Sequence, residues 1–433
     1  MSGFAVQPEL PFEEFVAEKD DNRRLEWVLA TLPDGPLLRY LREPREGRRN
    51  EYPVEVLWRC VVAKFVYQIK TYAELIRELW RNGSLRRLVG LEGSIPRDYH
   101  FSRLLKQLSS PVGRRLLQAM FAELVRRIGA VEAGLGEYVA VDGTAVHAYS
   151  NAKKARRGQG SDPDAKWGTR TKWERPPTAA SAQVEKREEH WFGYVVELLV
   201  DCESELPLGY AVNPANAAET LQLRPLLEAY QATHPQLAER AQAVIADKGY
   251  DSRENCAHVL RELEALAIIK LRRRLAGDAI DQSAACCCTE LGTPICPSGH
   301  PMKYWGRDGH VLKWRCPAKV GKHPPTCTFR GGCGTPSAYG RTVKISCWED
   351  PRRWPGVWRE SRTFEKLYRK RTAAERVNSR LKQHLLLDDL TIRGIGKVEV
   401  HVALGLTVML AGATAMIEQG RSERMRRTVR LAS

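Results

Sequence analysis

Strand-like apolar runs alternate with helix-like segments between residues 136 and 272, and no other feature of the sequence constrains the fold as strongly. Five runs predict strands: "GEYVAVDGT" (136–144), "FGYVVELLVD" (192–201), "LPLGYAVNP" (206–214), "AQAVIADKGYDS" (241–252) and "LAIIKLR" (266–272). Helices are predicted between them over residues 219–230 and 253–264. Three strands followed by helix, strand, helix and strand predict an α/β domain whose sheet begins antiparallel.

The regions on either side of this segment have a different character. Apolar residues at helical spacing predict N-terminal helices over four segments: Phe12–Leu32, Tyr52–Tyr67, Tyr72–Trp80 and Pro111–Ile128. Residues 151–189 are polar and have no clear period, which predicts a mobile or surface-laid excursion. A segment rich in Cys, Pro and Gly follows the last strand, and two helices are predicted after it. The sequence therefore indicates a helical N-terminal region and an α/β core with a Cys-rich insertion.

The chain is strongly basic, with 68 Lys and Arg against 52 Asp and Glu and a formal net charge of +16. This excess predicts a polyanionic partner, with nucleic acid favoured over an anionic membrane surface. The N-terminus has no basic segment followed by an apolar run, so no signal peptide is predicted. We expect a cytoplasmic, nucleoid-associated protein. The apolar stretch from Val400 to Ile417 is at the short limit for crossing a membrane and predicts a buried helix instead.

Two aspartates, Asp142 and Asp247, each follow an apolar run and precede a glycine within two residues. The Asp142-Gly143 pair predicts a turn that ends the first strand. Ligand sites of α/β sheets gather at strand ends, and a carboxylate that ends a buried strand needs a partner for its charge. Either aspartate alone could simply form a cap or a turn. With Glu375 they predict a three-carboxylate site for Mg²⁺, which binds oxygen ligands and keeps waters for a phosphate substrate.

The segment "YRKRTAAERVNSRLK" (368–382) has the pattern of a single helix with one highly charged face. At about 100° per residue, Tyr368, Arg371, Glu375 and Lys382 fall within roughly a 60° stripe. Apolar residues cluster on another face, which can pack against a core. The stripe predicts a lone carboxylate among three groups suited to binding an anion. The alternative is a solvated face with helix ion pairs.

Three segments together resemble the catalytic motifs of bacterial insertion-sequence transposases of the DDE type. They are "VAVDGT" (139–144), "IADKGYD" (245–251) and the 368–382 segment, which matches the Y-x2-R-x3-E-x6-K signature of that family at all four positions. "DPDAKWG", "WFGY" and "LPLGY" also resemble the family, and "YHFSRLLKQL" (99–108) is similar to its N-terminal domain. The resemblance covers all but the extreme ends of the chain.

The resemblance implies an RNase H-like catalytic core, an α/β fold in which helices flank a mixed five-stranded sheet. It implies that Asp142, Asp247 and Glu375 are catalytic and hold Mg²⁺ or Mn²⁺, with two ions expected. The corresponding domains would be an N-terminal helical, DNA-end-binding domain (1–132), a catalytic core (133–275 and 351–420), the Cys-rich insertion (276–350) and a basic tail (421–433).

Tyr368, Arg371 and Lys382 would, by the same resemblance, contact phosphates of the cleaved element end. Electrostatics favours this role independently for the arginine and the lysine. The second strand departs from the family, because Val195 and Glu197 stand where relatives often carry a lysine and a histidine. A substrate contact at that strand is therefore in doubt, whereas the carboxylate triad is unaffected.

The Cys-rich insertion carries seven of the 11 cysteines, between Cys286 and Cys333. In a reducing compartment such crowding favours metal binding over disulfides. Four cysteines are candidate zinc ligands, with two histidines nearby: Cys296, Cys316, Cys327 and Cys333. No C-x2-C pair is present, and free surface thiols are the alternative. Trp305 and Trp314 are interpreted as the small core of this module, with aromatic platforms for unpaired bases as the alternative.

The resemblance implies a DNA transposase that binds terminal inverted repeats, cleaves at the element ends and joins the 3′-OH ends to target DNA by metal-dependent phosphoryl transfer. The alternatives are a non-catalytic DNA-binding protein or a nuclease derived from a transposase. The expected partner is double-stranded DNA, both as element ends and as target, and no membrane partner is expected. Each active site can hold one scissile phosphate, so we expect a dimer in the paired-end complex. The apolar segment from Gly396 to Gly420 is either a dimer contact or an internal core helix.

Overall fold

The computed structural model describes residues 20–43, 52–174, 185–272, 288–322, 324–328 and 338–426. The chain forms two compact units, one from residues 1–128 and 380–433 and the other from residues 129–379. The structure therefore groups residues from 380 onward with the N-terminal helices, whereas the sequence-based division joined residues 351–420 to the catalytic core. The functions assigned to the predicted domains stay predictions.

The secondary structure is mixed, with helices at both ends of the chain and strands between them. The helices are α1 (Asp20–Thr31), α2 (Gly35–Arg42), α3 (Val54–Val66), α4 (Tyr72–Arg81), α5 (Gly83–Val89), α6 (Asp98–Leu108), α7 (Pro111–Val131), α8 (Ala152–Arg156), α9 (Leu223–Thr233), α10 (Pro235–Ala238), α11 (Arg253–Arg261), α12 (Arg362–Arg369), α13 (Thr372–His384) and α14 (Ile395–Glu418). The strands are β1 (Tyr138–His147), β2 (Lys166–Glu174), β3 (Glu185–Asp201), β4 (Pro207–Pro214), β5 (Ala243–Ala246), β6 (Leu266–Ile269), β7 (Lys303–Asp308), β8 (Val311–Arg315) and β9 (Thr342–Ser346). The four predicted N-terminal helices correspond to α1, α3, α4 and α7, although residues 12–19 of the first prediction lie outside the described residues.

Polar residues that precede the apolar pattern fix where two of these helices begin. The Thr71 hydroxyl accepts a hydrogen bond from the Glu74 amide at 3.1 Å, and the Glu74 carboxylate accepts one from the Thr71 amide at 3.2 Å. This capping box satisfies amide groups that have no partner within α4. The Ser110 hydroxyl accepts a bond from the Gly113 amide at 3.0 Å at the start of α7. The local sequence thus determines these two helix starts.

Helix α14 is the central buried helix of the first unit. It packs against α1, α3 and α6, and its residues from Val400 to Ala411 are all buried. Among the residues that the structure describes, α14 is the helix with the length and composition of a membrane span. The prediction of a buried helix at Val400–Ile417 is confirmed. The alternative role of segment 396–420 as a dimer contact is wrong, because its apolar side chains are covered within its own unit.

The second unit contains a six-stranded mixed sheet with the neighbour order β2-β3-β1-β5-β6, and β4 also pairs with β3. Strands β2, β1 and β4 each run antiparallel to β3, whereas β5 runs parallel to β1 and β6 parallel to β5. The five predicted strands are β1, β3, β4, β5 and β6, and their order with flanking helices is the RNase H-like arrangement. The predicted hairpin through "CESE" is confirmed as β3 and β4.

The sixth strand, β2, corrects part of the prediction of a mobile or surface-laid excursion over residues 151–189, because residues 166–174 form a paired strand. Residues 175–184 of that range lie outside the described residues. Strand β2 pairs along its whole length with the N-terminal half of β3, and Trp167 faces Phe192 with 5.5 Å between ring centroids. The sequence did not indicate this strand, because polar and charged residues dominate the segment and no alternating apolar pattern is visible. Aromatic cross-strand pairs of this kind stabilise an exposed sheet edge.

Two further local predictions are wrong. Asp142-Gly143 is not a turn, because β1 continues to His147 and remains paired with β3 as far as Gly193. Residues 368–382 are not one helix, because α12 ends at Arg369 and α13 begins at Thr372. Amide-to-carbonyl bonds of i to i−3 type, such as Arg371 to Tyr368 at 3.1 Å, form a tighter turn between them. The calculated 60° stripe therefore does not describe this segment.

The insertion folds as an antiparallel three-stranded sheet in the order β7-β8-β9. Its inner face contributes to a cluster of buried side chains: Leu260, Cys288, Met302, Leu312, Trp314, Ile345, Cys347 and Trp354. Trp314 is fully buried, which confirms its interpretation as core. Trp305 is 47% exposed and stacks on Tyr339 with 5.6 Å between centroids, so its interpretation as core is wrong.

Candidate active site

Asp142 and Asp247 lie on neighbouring parallel strands at the same level of the sheet. Val141 pairs with Ala246 in the β1–β5 ladder. The next residues on each strand are the two aspartates, and neighbouring strands are about 4.8 Å apart. Asp142 is buried and lies within β1, whereas Asp247 follows the last residue of β5 and caps a short 3₁₀ turn. The structure thus brings the two predicted aspartates together.

Arg371 joins the predicted glutamate to the first aspartate. One guanidinium nitrogen lies 3.5 Å from Asp142 Oδ1, and the other donates to Glu375 Oε1 at 2.6 Å. Arg371 lies in the turn directly before α13, and Glu375 lies in the first turn of that helix. Glu375 of α13 and the buried Asp142 therefore both contact the guanidinium group of Arg371. Arg371, Asp142 and Glu375 are therefore connected by direct contacts.

Tyr368 makes the corresponding contact to the second aspartate. Its hydroxyl donates to Asp247 Oδ1 at 3.3 Å, and the same oxygen accepts the Lys248 amide at 2.7 Å. Burial, reinforced by the charge of Asp247, raises the pKa of Tyr368 to about 12. The phenol is therefore neutral near pH 7 and acts as a donor. The exposed Lys270 places its ammonium 4.2 Å from the centroid of the Tyr368 ring and adds a cation beside the carboxylates.

Lys382 is the signature residue that belongs to the other compact unit. Its ammonium lies 3.5 Å from Asp388 Oδ1 within that unit. Its proposed phosphate contact stays a prediction.

Asn378 is a site residue that the sequence reasoning missed. Its amide nitrogen donates to Asp142 Oδ2 at 3.0 Å. Its oxygen Oδ1 is buried and has no hydrogen-bond partner among the described residues. The available signal was its position three residues after Glu375 on the same helix face, but an asparagine at such a spacing is common in structural roles.

Glu197 and Tyr250 are two more residues that were not predicted as part of the site. The Tyr250 hydroxyl donates to Glu197 Oε2, and both residues are 1% exposed. Burial raises the pKa of Glu197 to about 7, against the effect of the tyrosine bond. Burial also raises the pKa of Asp142 to about 6, although Arg371 favours its ionised form. Charge at this site is therefore costly unless a cation neutralises it.

The chemistry of the site fits a hard divalent cation, although its carboxylates are not gathered into one ligand shell. In the described parts of the chain, no group of three or more His, Cys, Asp or Glu residues is placed closely enough to hold a metal ion. Arg371 instead supplies the positive charge between Asp142 and Glu375. The surrounding acceptors are oxygens, and the unpartnered Oδ1 of Asn378 adds another beside Asp142. Oxygen donors of this kind are the ligands of Mg²⁺ and Mn²⁺.

The cysteines of the insertion occupy different environments. Cys288 is buried in the apolar cluster, Cys296 and Cys316 are partly buried, and Cys327 is exposed. Cys333 lies outside the described residues. The described segments of the insertion contain no group of three metal-ligating side chains. Zinc binding by Cys296, Cys316, Cys327 and Cys333 stays a prediction.

Comparison with known proteins identifies a family for this chain. The family described as "Transposase DDE domain" matches residues 134–410, and "Transposase domain (DUF772)" matches residues 12–107. A search of curated proteins gives no match. Among solved structures, the piggyBac transposase in a synaptic complex with hairpin DNA is similar at 10% identity and a TM-score of 0.40, over 94% of this chain and 79% of that chain.

Proposed function

Because the chain belongs to the family of transposases with a DDE domain, whose pattern matches residues 134–410, we propose that it moves an insertion sequence by cutting and joining DNA. The protein binds the terminal inverted repeats of the element, cleaves at its ends and joins the 3′-OH ends to target DNA. The observation that carries this proposal is the set of contacts that surrounds the three carboxylates. Tyr368 donates to Asp247, and Arg371 contacts both Asp142 and Glu375. The two sets are linked because the Arg371 guanidinium lies 5.8 Å from the centroid of the Tyr368 ring.

The three carboxylates would hold two Mg²⁺ or Mn²⁺ ions. When bound, such a pair activates the attacking oxygen and stabilises the leaving oxygen of a phosphoryl displacement. Asp142 and Asp247 come from neighbouring strands, and Glu375 comes from α13 on the far side of Arg371. Asn378 holds the Asp142 carboxylate in one orientation through its 3.0 Å bond.

The remaining groups of the site bind and orient the DNA backbone. Arg371 can form two parallel hydrogen bonds with a phosphate. In the structure its guanidinium donates a hydrogen bond to Glu375 and forms an ion pair with Asp142. Tyr368 offers a neutral hydroxyl donor, and Lys270 offers an exposed ammonium next to its ring. The family signature assigns the same role to Lys382, which is the part of the proposal that depends on resemblance alone.

DNA as the partner is supported by the net charge of +16, since phosphate neutralisation by Lys and Arg drives binding of this kind. Cutting two ends of one element requires two active sites, and we propose a dimer in the paired-end complex. Free protein is expected to be monomeric at low ionic strength, because like charge opposes self-association.

A cleavage and joining assay tests the proposal. The substrate is a fragment that carries the inverted repeats flanking the coding sequence, incubated with protein, Mg²⁺ and a target plasmid. We expect nicks at the element ends and covalent joining of the 3′ ends to the plasmid. Cleavage without joining would favour the nuclease alternative. Specific binding without cleavage would favour a non-catalytic DNA-binding protein.

Zinc in the insertion is proposed separately from the catalytic metal. If Cys296, Cys316, Cys327 and Cys333 are ligands, protein purified under reducing conditions with zinc supplied will contain about one Zn²⁺ per chain. Metal analysis by mass spectrometry checks this. Zinc-free protein would identify the four residues as free thiols.

A further inference from the structure

The glycine that follows Asp142 faces a buried carboxyl group. Gly143 lies opposite Glu197 in the β1–β3 ladder. A Cβ atom built on Gly143 would lie 2.9 Å from Glu197 Oε2 and 3.0 Å from Oε1. Because Glu197 is 1% exposed, its carboxyl has little space into which it could withdraw. A side chain at position 143 would therefore displace the Glu197 carboxyl group, and the glycine leaves the space that this group occupies.

The same carboxyl group is bonded to the turn that carries Asp247. The Tyr250 hydroxyl donates to Glu197 Oε2. Tyr250 belongs to the 3₁₀ turn that Asp247 caps, and its amide donates to the Asp247 carbonyl oxygen at 3.0 Å. The buried phenol therefore joins the turn to Glu197. One buried hydrogen bond connects the surroundings of both aspartates.

We propose that Glu197 and Tyr250 form a buried clamp that sets the position of the Asp247 turn relative to β1, and thereby the separation of Asp142 and Asp247. The two clamp residues are positioning residues and do not bind metal or DNA themselves. The inference rests on the proposed function, since it takes the two aspartates as metal ligands. It also accounts for the departure from the family at this strand, because Glu197 makes a structural contact where relatives often carry a histidine.

The clamp matters because metal ligands must be held in one geometry. Residues that orient metal ligands without contacting the metal are often important. Removing such a residue typically lowers metal affinity or activity by about 10- to 100-fold. In this site the two aspartates lie on separate strands, and the β1–β5 ladder ends at Val141 and Ala246, just before them. The ladder alone therefore does not fix the Asp247 turn. The Glu197–Tyr250 bond adds a constraint from β3, the strand on the other side of β1, beside the bond from Asn255 to the Tyr250 carbonyl oxygen.

Binding of Mn²⁺ to the full-length protein, measured by titration calorimetry without DNA, tests the clamp. The variants are Tyr250→Phe, Glu197→Ala, the double variant and Glu197→Gln. Tyr250→Phe and Glu197→Ala should each weaken Mn²⁺ binding by roughly 10- to 100-fold. The double variant should be no weaker than the worse single variant, since both changes remove one bond. Glu197→Gln keeps an acceptor oxygen for the tyrosine and should bind Mn²⁺ nearly as well as the unaltered protein.

Tyr194→Phe is the matched control. Tyr194 lies on the same strand as Glu197, and its hydroxyl donates to the buried Asp162 Oδ1 at 2.8 Å. Tyr194→Phe and Tyr250→Phe should both lower the Tm, because each removes a buried tyrosine–carboxylate bond. Only Tyr250→Phe should weaken Mn²⁺ binding. A general loss of stability would instead weaken Mn²⁺ binding in both tyrosine variants.

Three results would overturn the clamp. They are unchanged Mn²⁺ affinity in Tyr250→Phe, an additive loss in the double variant, and a loss in Glu197→Gln as large as in Glu197→Ala. The last result would make the carboxylate itself a ligand. Asp247→Asn separates this inference from the proposed function: if it also binds Mn²⁺ normally, the proposed metal site and the clamp both fall. If it loses binding while Tyr250→Phe keeps it, the clamp alone falls.

Discussion

The carboxylate site and the Cys-rich insertion were both predicted as metal sites. In the structure the predicted carboxylate residues lie close to one another, whereas the described cysteines of the insertion lie in different environments. Residues as distant as Asp142, Asp247 and Arg371 converge on linked sets of hydrogen bonds and ion pairs. The cysteines of the insertion are instead distributed between its apolar core and its surface. The difference teaches that residues at defined positions on strands and helices are brought together by the register of those elements. The positions of reactive residues in loops are not set by the register of strands or helices.

The largest expected effect comes from removing one carboxylate of the proposed metal site. Asp142→Asn, Asp247→Asn and Glu375→Gln should each lower the rate of end cleavage by at least about 10²-fold, because each removes a charge that stabilises bound metal. Gel assays of end-labelled DNA measure the rate, and the affinity for element ends serves as the internal control. Normal cleavage in any one variant would remove that residue from the triad.

The second prediction concerns the stability of the insertion. Trp314→Ala should cost about 3–5 kcal/mol of unfolding free energy, because it empties the centre of the small core. Trp305→Ala is the matched control and should change the unfolding free energy by less than about 0.5 kcal/mol, since the side chain is 47% exposed. Urea denaturation followed by tryptophan fluorescence measures both. Equal losses would mean that the exposed tryptophan also holds the fold.

The third prediction concerns Asn378, which donates a hydrogen bond to the Asp142 carboxylate. Asn378→Ala removes the 3.0 Å bond to Asp142 and should weaken Mg²⁺-dependent cleavage by roughly 10-fold, less than removal of the carboxylate itself. The dependence of the cleavage rate on Mg²⁺ concentration measures the effect. Ser379→Ala, at the next position of α13, is the control. A rate profile that matches the unaltered protein would leave Asn378 with a purely structural contact.

The smallest expected effect is on DNA affinity. Arg371→Ala and Lys382→Ala should each reduce the slope of log affinity against log salt by roughly one unit, if each residue contacts one phosphate. Fluorescence anisotropy with an element-end duplex measures the slope. An unchanged slope for Lys382→Ala alone would confine DNA contacts to the network around Asp142. Unchanged slopes for both would favour the solvated helix face.

The fold was predictable where apolar runs had strand length and clear ends. The runs at Ala243–Ala246 and Leu266–Ile269 form β5 and β6 as expected, and Asp247 does follow a buried strand. Strand β2 was not predicted, because its pairing depends on β3 and not on its own apolar content. Tertiary pairing decides such segments, which local propensity cannot reveal.

The sequence reasoning named residues that the structure brings together, but it did not predict their local geometry, and their catalytic roles stay predictions. Asp142 was assigned to a strand end and a turn, whereas β1 continues past it because β3 pairs with it as far as His147. The helical stripe assumed one continuous helix, whereas a tight turn at Lys370 and Arg371 divides it. Glu197 and Tyr250 could not be predicted, because a single buried bond between distant segments leaves no periodic signal.

Mapping the metal with iron tests the central claim most directly. Fe²⁺ that replaces Mg²⁺ reduces added hydrogen peroxide to hydroxide and a hydroxyl radical and is itself oxidised to Fe³⁺. The radicals cut the backbone near the bound ion, and mass spectrometry locates the cuts. The account predicts cuts next to residues 142, 247 and 375 that excess Mg²⁺ suppresses and that Asp142→Asn abolishes. Cuts confined to residues 288–350, or cuts near the triad that neither Mg²⁺ nor Asp142→Asn affects, would contradict a metal site built from the three carboxylates.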